Sequence, residues 1–376
     1  MRARRKGKSI WPQEADGNRK DRGMRDKFRV LTLIPHLGGG GAEQVTALLA
    51  KGLSREKYEL HLGLATALNP DSEPLPPWVT VHALGARRVR TAALPLLRLV
   101  RSLRPQLILS GMAHLNFLVL LLKPFFPRGT RVLVRQNATA SAVLAEGRTP
   151  RFTRLLYLLL YRRADCVICQ SRAMAQDLAA VAWLGADRIA VLPNPIDIAG
   201  VLAALDGPSR WSGAGPHLLA VGRLSREKGF DLLLTALVRV REQFPGADLV
   251  LCGAGPEETA LKAQCRSLGL ESAVRFSGHV DSPYVFFPEA AVFVLSSHHE
   301  GMPNALLEAA AAGLPIVALP SSGGVVDLLR GRAGAWVAAE VSAEALAASL
   351  VKALTTLRPG ERFPDLLGST PVTMTR

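Results

Sequence analysis

Glu300 and Glu308 bracket the run Gly301-Met302-Pro303-Asn304-Ala305-Leu306-Leu307, the most specific chemical signal in the chain. Pro303 suits the first turn of a helix, where a missing N–H costs nothing. The backbone N–H groups of Asn304, Ala305 and Leu306 then have no intrahelical acceptor and point out of the helix start. Together with the helix dipole they make an anion site suited to a pyrophosphate. Glu300 stands in the loop before this helix. Glu308 lies more than a turn inside it, where a carboxylate can accept hydrogen bonds from ribose hydroxyls. Taken alone, the two acids also read as a solvated loop residue and a helix-start residue.

A second cluster of charge lies in Val221–Asp231, where Arg223, Arg226 and Lys228 follow an apolar run ending at Gly222. Arg223 and Lys228 at a strand end can clamp a diphosphate, the arginine bidentately and the lysine as a point charge. They would also stabilise the diphosphate as it departs with growing negative charge. Ordinary exposed loop charges are the competing reading. The run Gly38–Gly41 includes Gly39 and Gly40, whose bare backbone can approach a phosphate or a sugar, although it is not the G-x-G-x-x-G fingerprint and four glycines also suit a flexible turn. Gly253, Gly255 and Pro256, in Gly253-Ala254-Gly255-Pro256-Glu257, join a strand to a helix. They either line a nucleotide base or make a tight turn. His114 follows an apolar run and can reach a cleft from the first half of the chain, as can Arg135 and Asn137, although a lone histidine in such a place is more often structural. No metal constellation is found. His298 and His299 are adjacent in a loop, and no D-x-D is present to hold a divalent ion. The expectation is therefore chemistry without metal or cofactor, with Arg and Lys in the place of the ion.

The elements that position these residues alternate. Phe28–Ile34 reads as a buried strand, followed by the glycine loop and a helix over Ala42–Leu53. Strands are predicted at Tyr58–Ala65, Val79–His82, Gln106–Leu109, Arg131–Arg135, Cys166–Cys169 and Ile189–Leu192, with helices at Thr91–Leu103, His114–Leu122, Arg151–Arg163 and Arg172–Ala182. After Pro193-Asn194-Pro195 and a Gly/Pro/Ser-rich stretch, the alternation restarts at His217–Gly222 and runs to a helix over Ala343–Leu357. The prediction is an α/β protein of two doubly wound, parallel, Rossmann-like domains facing across a cleft, since open α/β sheets bind ligands outside the C-terminal strand edge. The boundaries are a basic tail over 1–27, a first domain over 28–200, a linker over 201–215, a second domain over 216–357 and a tail over 358–376.

Composition bounds the rest. With 376 residues and 48% hydrophobic content the chain can bury two cores. The formal charge is +15, and Met1 to Lys27 hold ten Lys or Arg against four Asp or Glu. Such a surface attracts polyanions. Without zinc-finger spacing or an RNP-like signature, nucleic acid is not expected as a partner. Cys166 and Cys169 form C-x-x-C inside an apolar strand pattern, which favours a structural role. The N-terminal stretch lacks an apolar h-region, and Leu115–Leu122 and Leu155–Tyr161 are too short to span a bilayer. A cytoplasmic location is expected.

Taken in order, Gly39-Gly40-Gly41-Ala42-Glu43, Val221–Asp231, Gly253–Glu257 and Glu300–Glu308 resemble glycosyltransferase family 4, the retaining enzymes of GT-B fold, over roughly Phe28 to Leu357. The last motif resembles the E-x7-E element. The resemblance implies that Arg223 and Lys228 bind the donor diphosphate and that Glu308 binds its ribose. It places Glu300 and His114 near the transferred sugar, and the glycine loop beside the phosphates. It further implies a nucleotide-sugar donor such as a UDP-sugar, and a glycan or lipid-linked acceptor of bacterial surface-polysaccharide or lipopolysaccharide synthesis. A peripheral contact with anionic lipid would be made by Arg128, Arg131, Arg148, Arg151, Arg154, Arg162 and Arg163 with Leu155–Leu160. A sugar-nucleotide epimerase or a phosphorylase of related fold, and a non-catalytic polyanion-binding protein, are the competing functions.

Overall fold

The structure, a computed structural model, describes residues 27–37, 40–66, 75–86, 88–145, 152–208 and 210–367. The basic tail apart from Lys27, and with it Gly39, Arg148 and Arg151, lies outside the described residues.

Two parallel sheets form the frame. The first contains β1 (Phe28–Ile34), β2 (Tyr58–Leu64), β3 (Thr80–Ala83), β4 (Leu107–Ser110), β5 (Arg131–Gln136), β6 (Cys166–Cys169) and β7 (Ile189–Val191), in the order β3-β2-β1-β4-β5-β6-β7. The second contains β8 (His217–Val221), β9 (Asp248–Cys252), β10 (Val274–Gly278), β11 (Val292–Leu295), β12 (Ile316–Ala318) and β13 (Ala335–Val337), in the order β10-β9-β8-β11-β12-β13. Their central strands are short apolar runs covered on both faces by helices, the condition under which a parallel sheet is stable. In the second domain, helices Phe230–Gln243 and Ala343–Thr356 pack on one face, while Asn304–Ala311 and Gly323–Leu329 pack on the other. Strand order reverses between β1 and β4 in one sheet and between β8 and β11 in the other. A crevice opens at such a switch point. The glycine loop leaves β1, the Arg223–Lys228 loop leaves β8 and the Glu300 loop leaves β11, so the topology alone gathers the candidate residues.

Several expectations are corrected. The stretch 201–215, read as a linker, begins inside a helix, Ile198–Ala204, whose Val201 is buried in the second core beside Ile196. Asp197 caps that helix by accepting from the Gly200 N–H at 3.0 Å; the neighbouring prolines and glycine masked the pattern. Residues 358–367, read as a tail, are docked on the second domain. Leu366 is buried there, the Phe363 N–H donates to the Gly313 carbonyl at 2.7 Å, and a Cβ on Gly334 would collide with the Phe363 ring. A short helix, Ala140–Ala145, had no counterpart in the sequence reading. The helix expected over Thr91–Leu103 opens as a 3₁₀ turn, Val89–Ala92.

Cys166 and Cys169 are free and buried in β6. Burial pushes the Cys169 thiol up to about 12 and raises that of Cys166, which disfavours the thiolate form of both. Among the described residues no helix is long and apolar enough to cross a membrane.

Candidate active site

The second domain supplies the charged half of the site. The 3₁₀ turn Arg226–Lys228 folds Lys228 back over Gly222, bringing its Nζ to 2.6 Å from Glu300 Oε1. Ser297 Oγ donates to the same carboxylate oxygen at 2.7 Å. The two loops are laced by backbone: Ser296 Oγ donates to the Lys228 carbonyl at 2.8 Å, and the His298 N–H to the Glu227 carbonyl at 2.8 Å. Gly229 takes a φ of +59° with its α-carbon against the Ser296 carbonyl, so a side chain there has no room. The Lys228 and Glu300 side chains are only 23% and 12% exposed, which lifts the pair above the screened surface ion pairs of little energetic worth. Arg223 is exposed on the same loop.

The helix of the E-x7-E element spans Asn304–Ala311, with Pro303 as its extended N-cap (φ −71°, ψ 127°) rather than its first helical residue. No side chain caps it, and the first intrahelical bond runs from the Leu307 N–H to the Pro303 carbonyl at 3.3 Å. The amides of Asn304, Ala305 and Leu306 are therefore the outward donors, as the sequence implied. Glu308 is almost wholly buried. Burial raises its carboxyl pKa, against hydrogen bonds from Tyr284 and Gln44 that pull it down.

The first domain closes onto this helix. Gly40 is the N-cap of helix Gly41–Gly52. Asn304 Nδ2 donates to the Gly41 carbonyl at 3.0 Å, and Gln44 Nε2 donates to Glu308 Oε1 at 2.9 Å. Asn194 donates to the Met302 carbonyl at 3.1 Å and to Asn304 Oδ1. Arg135 donates to Asn194 Oδ1. Arg135, a cleft candidate by sequence, is thus buried and engaged in holding Asn194, and burial lowers its pKa to about 10. Asn137 and Gln170 crowd Gly301, where a Cβ would come within 2.9 Å of Gln170 Oε1. His114 is exposed in the first turn of helix Ala113–Leu122. Partial desolvation of its ring against the protein, then the like charge of His36, lowers its pKa and favours the neutral imidazole.

Gly253 and Gly255 have a packing reason independent of any base. A Cβ on either would collide with the backbone of Gly222 or Leu224, while Leu224 N–H donates to the Ala254 carbonyl at 3.0 Å. Pro256 is exposed and stands two residues before helix Glu258–Ser267, not at its start. Gly253→Ala combines that collision with a φ of +143°. We expect it to cost at least ~2 kcal/mol and to displace the Arg223 loop, read as a drop in melting temperature with weakened anion binding.

The structure thus joins Lys228 to Glu300, and separately joins the Asn304–Ala311 helix with Glu308 to Gly41 and Gln44 of the first domain, while Arg223 and His114 are exposed in loops and turns that follow β8 and β4. Sequence reasoning missed Gln44, Asn194, Ser297 and Gln170. Gln44 directly follows the quoted Gly-Gly-Ala-Glu and Asn194 sits between two prolines; both signals were available. Ser297 and Gln170 carried none.

Residues 206–360 match the family Glycosyl transferases group 1, and residues 39–199 match Glycosyltransferase Family 4. The chain belongs to glycosyltransferase family 4. This family 4 glycosyltransferase is 34% identical over 175 residues to the lipopolysaccharide core biosynthesis glycosyltransferase LpsE of Rhizobium meliloti, an alignment spanning 46% of this chain and about half (48%) of LpsE. It is 27% identical over 308 residues, 78% of this chain and 81% of the relative, to N-acetylgalactosamine-N,N'-diacetylbacillosaminyl-diphospho-undecaprenol 4-alpha-N-acetylgalactosaminyltransferase of Campylobacter jejuni. Anabaena HepE, solved in complex with UDP and glucose, shares the two-domain GT-B fold, with a TM-score of 0.70 at 17% identity over 88% of this chain and 90% of HepE.

Proposed function

We propose that this glycosyltransferase transfers a hexosyl or N-acetylhexosaminyl unit, with retention, from a UDP-sugar to a glycan or lipid-linked acceptor of bacterial surface-polysaccharide synthesis. The observation that carries the reading is the Lys228–Glu300 pair, 2.6 Å apart and set before the uncapped helix that carries Glu308. One diphosphate meets Lys228, Arg223 and the first helix amides, while the attached ribose meets Glu308. Glu300 faces the sugar beyond. In the reaction the sugar C1–O bond to the β-phosphate breaks and a new C1–O bond to an acceptor hydroxyl forms on the same face. The hydroxyl proton passes to the departing phosphate oxygen, and UDP leaves. Lys228 and Arg223 offset the charge that accumulates on the diphosphate, without a metal ion in the proposal. Closure of the domains limits hydrolysis of the donor. HepE, with UDP and glucose bound, supports the choice of donor, and the Campylobacter relative, named for an undecaprenol-linked substrate, supports the class of acceptor.

UDP and a panel of UDP-sugars are expected to raise the melting temperature, because a ligand that binds only the folded state stabilises it. Arg223→Ala should reduce UDP affinity at least about tenfold. Unchanged UDP binding by that variant would refute the diphosphate assignment.

The proposal includes work at the cytoplasmic face of a membrane. Phe152, Leu155 and Leu159 are exposed along helix Thr153–Leu160 and its approach, flanked by exposed Arg154, Arg162 and Arg163. That combination suits anionic headgroups above an apolar layer. Leu155→Ser/Leu159→Ser is expected to cut co-sedimentation with phosphatidylglycerol vesicles about tenfold, with binding of UDP retained.

A further inference from the structure

At the edge of the first sheet opposite the candidate site, a cleft of about 680 Å³ opens between the ends of two helices. Helix Ala93–Leu103 ends at Arg104, and helix Ala113–Leu122 runs on into a 3₁₀ turn, Lys123–Phe125. Both ends lie where β4 and β5 begin, since Gln106 precedes β4 and Thr130 precedes β5. Asn137, which crowds Gly301, follows β5 at its other end. The six residues of β5, about 20 Å of extended chain, therefore separate this cleft from the Glu300 loop. Its floor is fixed by hydrogen bonds between the two strand entries. Thr130 Oγ1 donates to the Pro105 carbonyl at 2.9 Å, and the Arg131 N–H to the Gln106 carbonyl at 2.9 Å.

Arg101, Arg104 and Arg128 line the cleft together with Phe125 and Phe126, and no aspartate or glutamate does. Among the described residues none of the three arginines has an ion pair. Arg101 spends its Nε on the Phe125 carbonyl at 3.4 Å, which leaves its terminal nitrogens to the cleft. Three like charges around one opening repel, and nothing in the lining offsets them. Arg104 adds a second observation. It holds a left-handed backbone, φ 49° and ψ 57°, at a helix end where glycine is the usual residue. An arginine thus stands where glycine would relieve strain, and the guanidinium is what the position contributes. Phe125 is the third. Its ring is 58% exposed beside these cations and offers an apolar face to the body of a ligand. We propose that this cleft is a second ligand site, separate from the donor cleft, for a phosphomonoester carried on a small organic body. A sugar ring and the glycerol of a lipid headgroup are two such bodies. Arginine pairs bidentately with phosphate, and a dianion with three free oxygens matches several guanidiniums where a single carboxylate leaves charge uncompensated. The volume suits a ligand of that size, within the roughly 300–1,000 Å³ of small-molecule sites.

The experiment is isothermal titration calorimetry on the full chain, with UDP present to occupy the donor cleft. Glucose 6-phosphate is the soluble probe, monomeric dihexanoyl phosphatidic acid the lipid probe, and glucuronate the carboxylate control. At least one phosphomonoester should bind, at least about tenfold more tightly than glucuronate. Binding of glucose 6-phosphate alone assigns a soluble sugar phosphate, and binding of the phosphatidic acid alone assigns a lipid headgroup; either supports the site. Arg104→Gly/Arg128→Ala should weaken the bound probe at least about tenfold. Its melting temperature should stay close to wild type, because one change relieves a left-handed backbone and the other removes an exposed side chain without an ion pair. Arg128→Ala alone, which leaves the helix end intact, should weaken the same probe at least about threefold. The proposal is overturned if neither phosphomonoester binds, if glucuronate binds as tightly, or if the two variants bind the probe like wild type.

Discussion

Lys228→Ala is expected to lower kcat for sugar transfer by about 10²–10³, the effect of removing one preorganised charge from a developing oxyanion. The side chain does two things at once. Its ammonium, 2.6 Å from Glu300, holds that carboxylate together with Ser297. In the proposed reaction it also stands where the departing diphosphate gathers charge. Losing it therefore leaves Glu300 with the Ser297 hydroxyl alone and leaves the leaving group with Arg223 and the helix amides. Lys228→Arg should restore little, because a planar fork cannot reproduce a point charge lying over Gly222. Steady-state kinetics with a UDP-sugar, beside a melting curve close to wild type, checks this. A kcat within threefold of wild type would remove Lys228 from the mechanism.

The second large effect concerns Glu308. Replacement by glutamine should weaken UDP at least about tenfold, since hydrogen bonds to a charged acceptor are the stronger kind. The pH dependence is more diagnostic. Burial raises the Glu308 carboxyl above its ordinary 4.5, so protonation sets in at a higher pH than for an exposed glutamate. Donor affinity in the wild type should fall as pH is lowered through that raised value, and the glutamine variant should be weak and flat across the same range. Stability runs the other way. The folded state binds the Glu308 proton more tightly than the unfolded chain does. The associated stability is fully present below 4.5 and is lost as pH rises through the folded value. Glu308→Gln should then gain on wild type in melting temperature toward neutral pH while losing donor. Calorimetry and UDP titration at matched pH values separate the two. A wild-type affinity independent of pH from 4.5 to 8 would overturn the ribose assignment.

The parallel frame was legible because buried strands such as Val292–Leu295, a continuous apolar run, and Val30–Ile34, apolar but for Thr32, are bounded by loops. The E-x7-E helix was legible because proline and the alternation of charge mark its start. Local pattern could not reveal that Arg135 turns inward to Asn194, because that depends on a loop crossing from β7. Nor could it separate the glycines that touch ligand from those that touch backbone: Gly253 and Gly255 are explained by their clash with Gly222 and Leu224. Helix Ile198–Ala204 was hidden for the opposite reason. Its burial comes from the second core, while its sequence neighbours are prolines and glycines that signal a break.

A string of side-chain hydrogen bonds runs from Arg135 through Asn194, Asn304 and Gln44 to Glu308, crossing the boundary between the halves of the molecule three times. The nucleotide site proposed above is consequently not a cassette that travels with the C-terminal half. A chimera that grafts residues 216–367 onto a foreign partner brings Glu308 and Lys228 but leaves behind Gln44, which holds Glu308, and Asn194, which holds Asn304. Designs that recombine acceptor and donor preferences in this scaffold need the Gly40–Gln44 turn and the Asn194 loop to move with the graft.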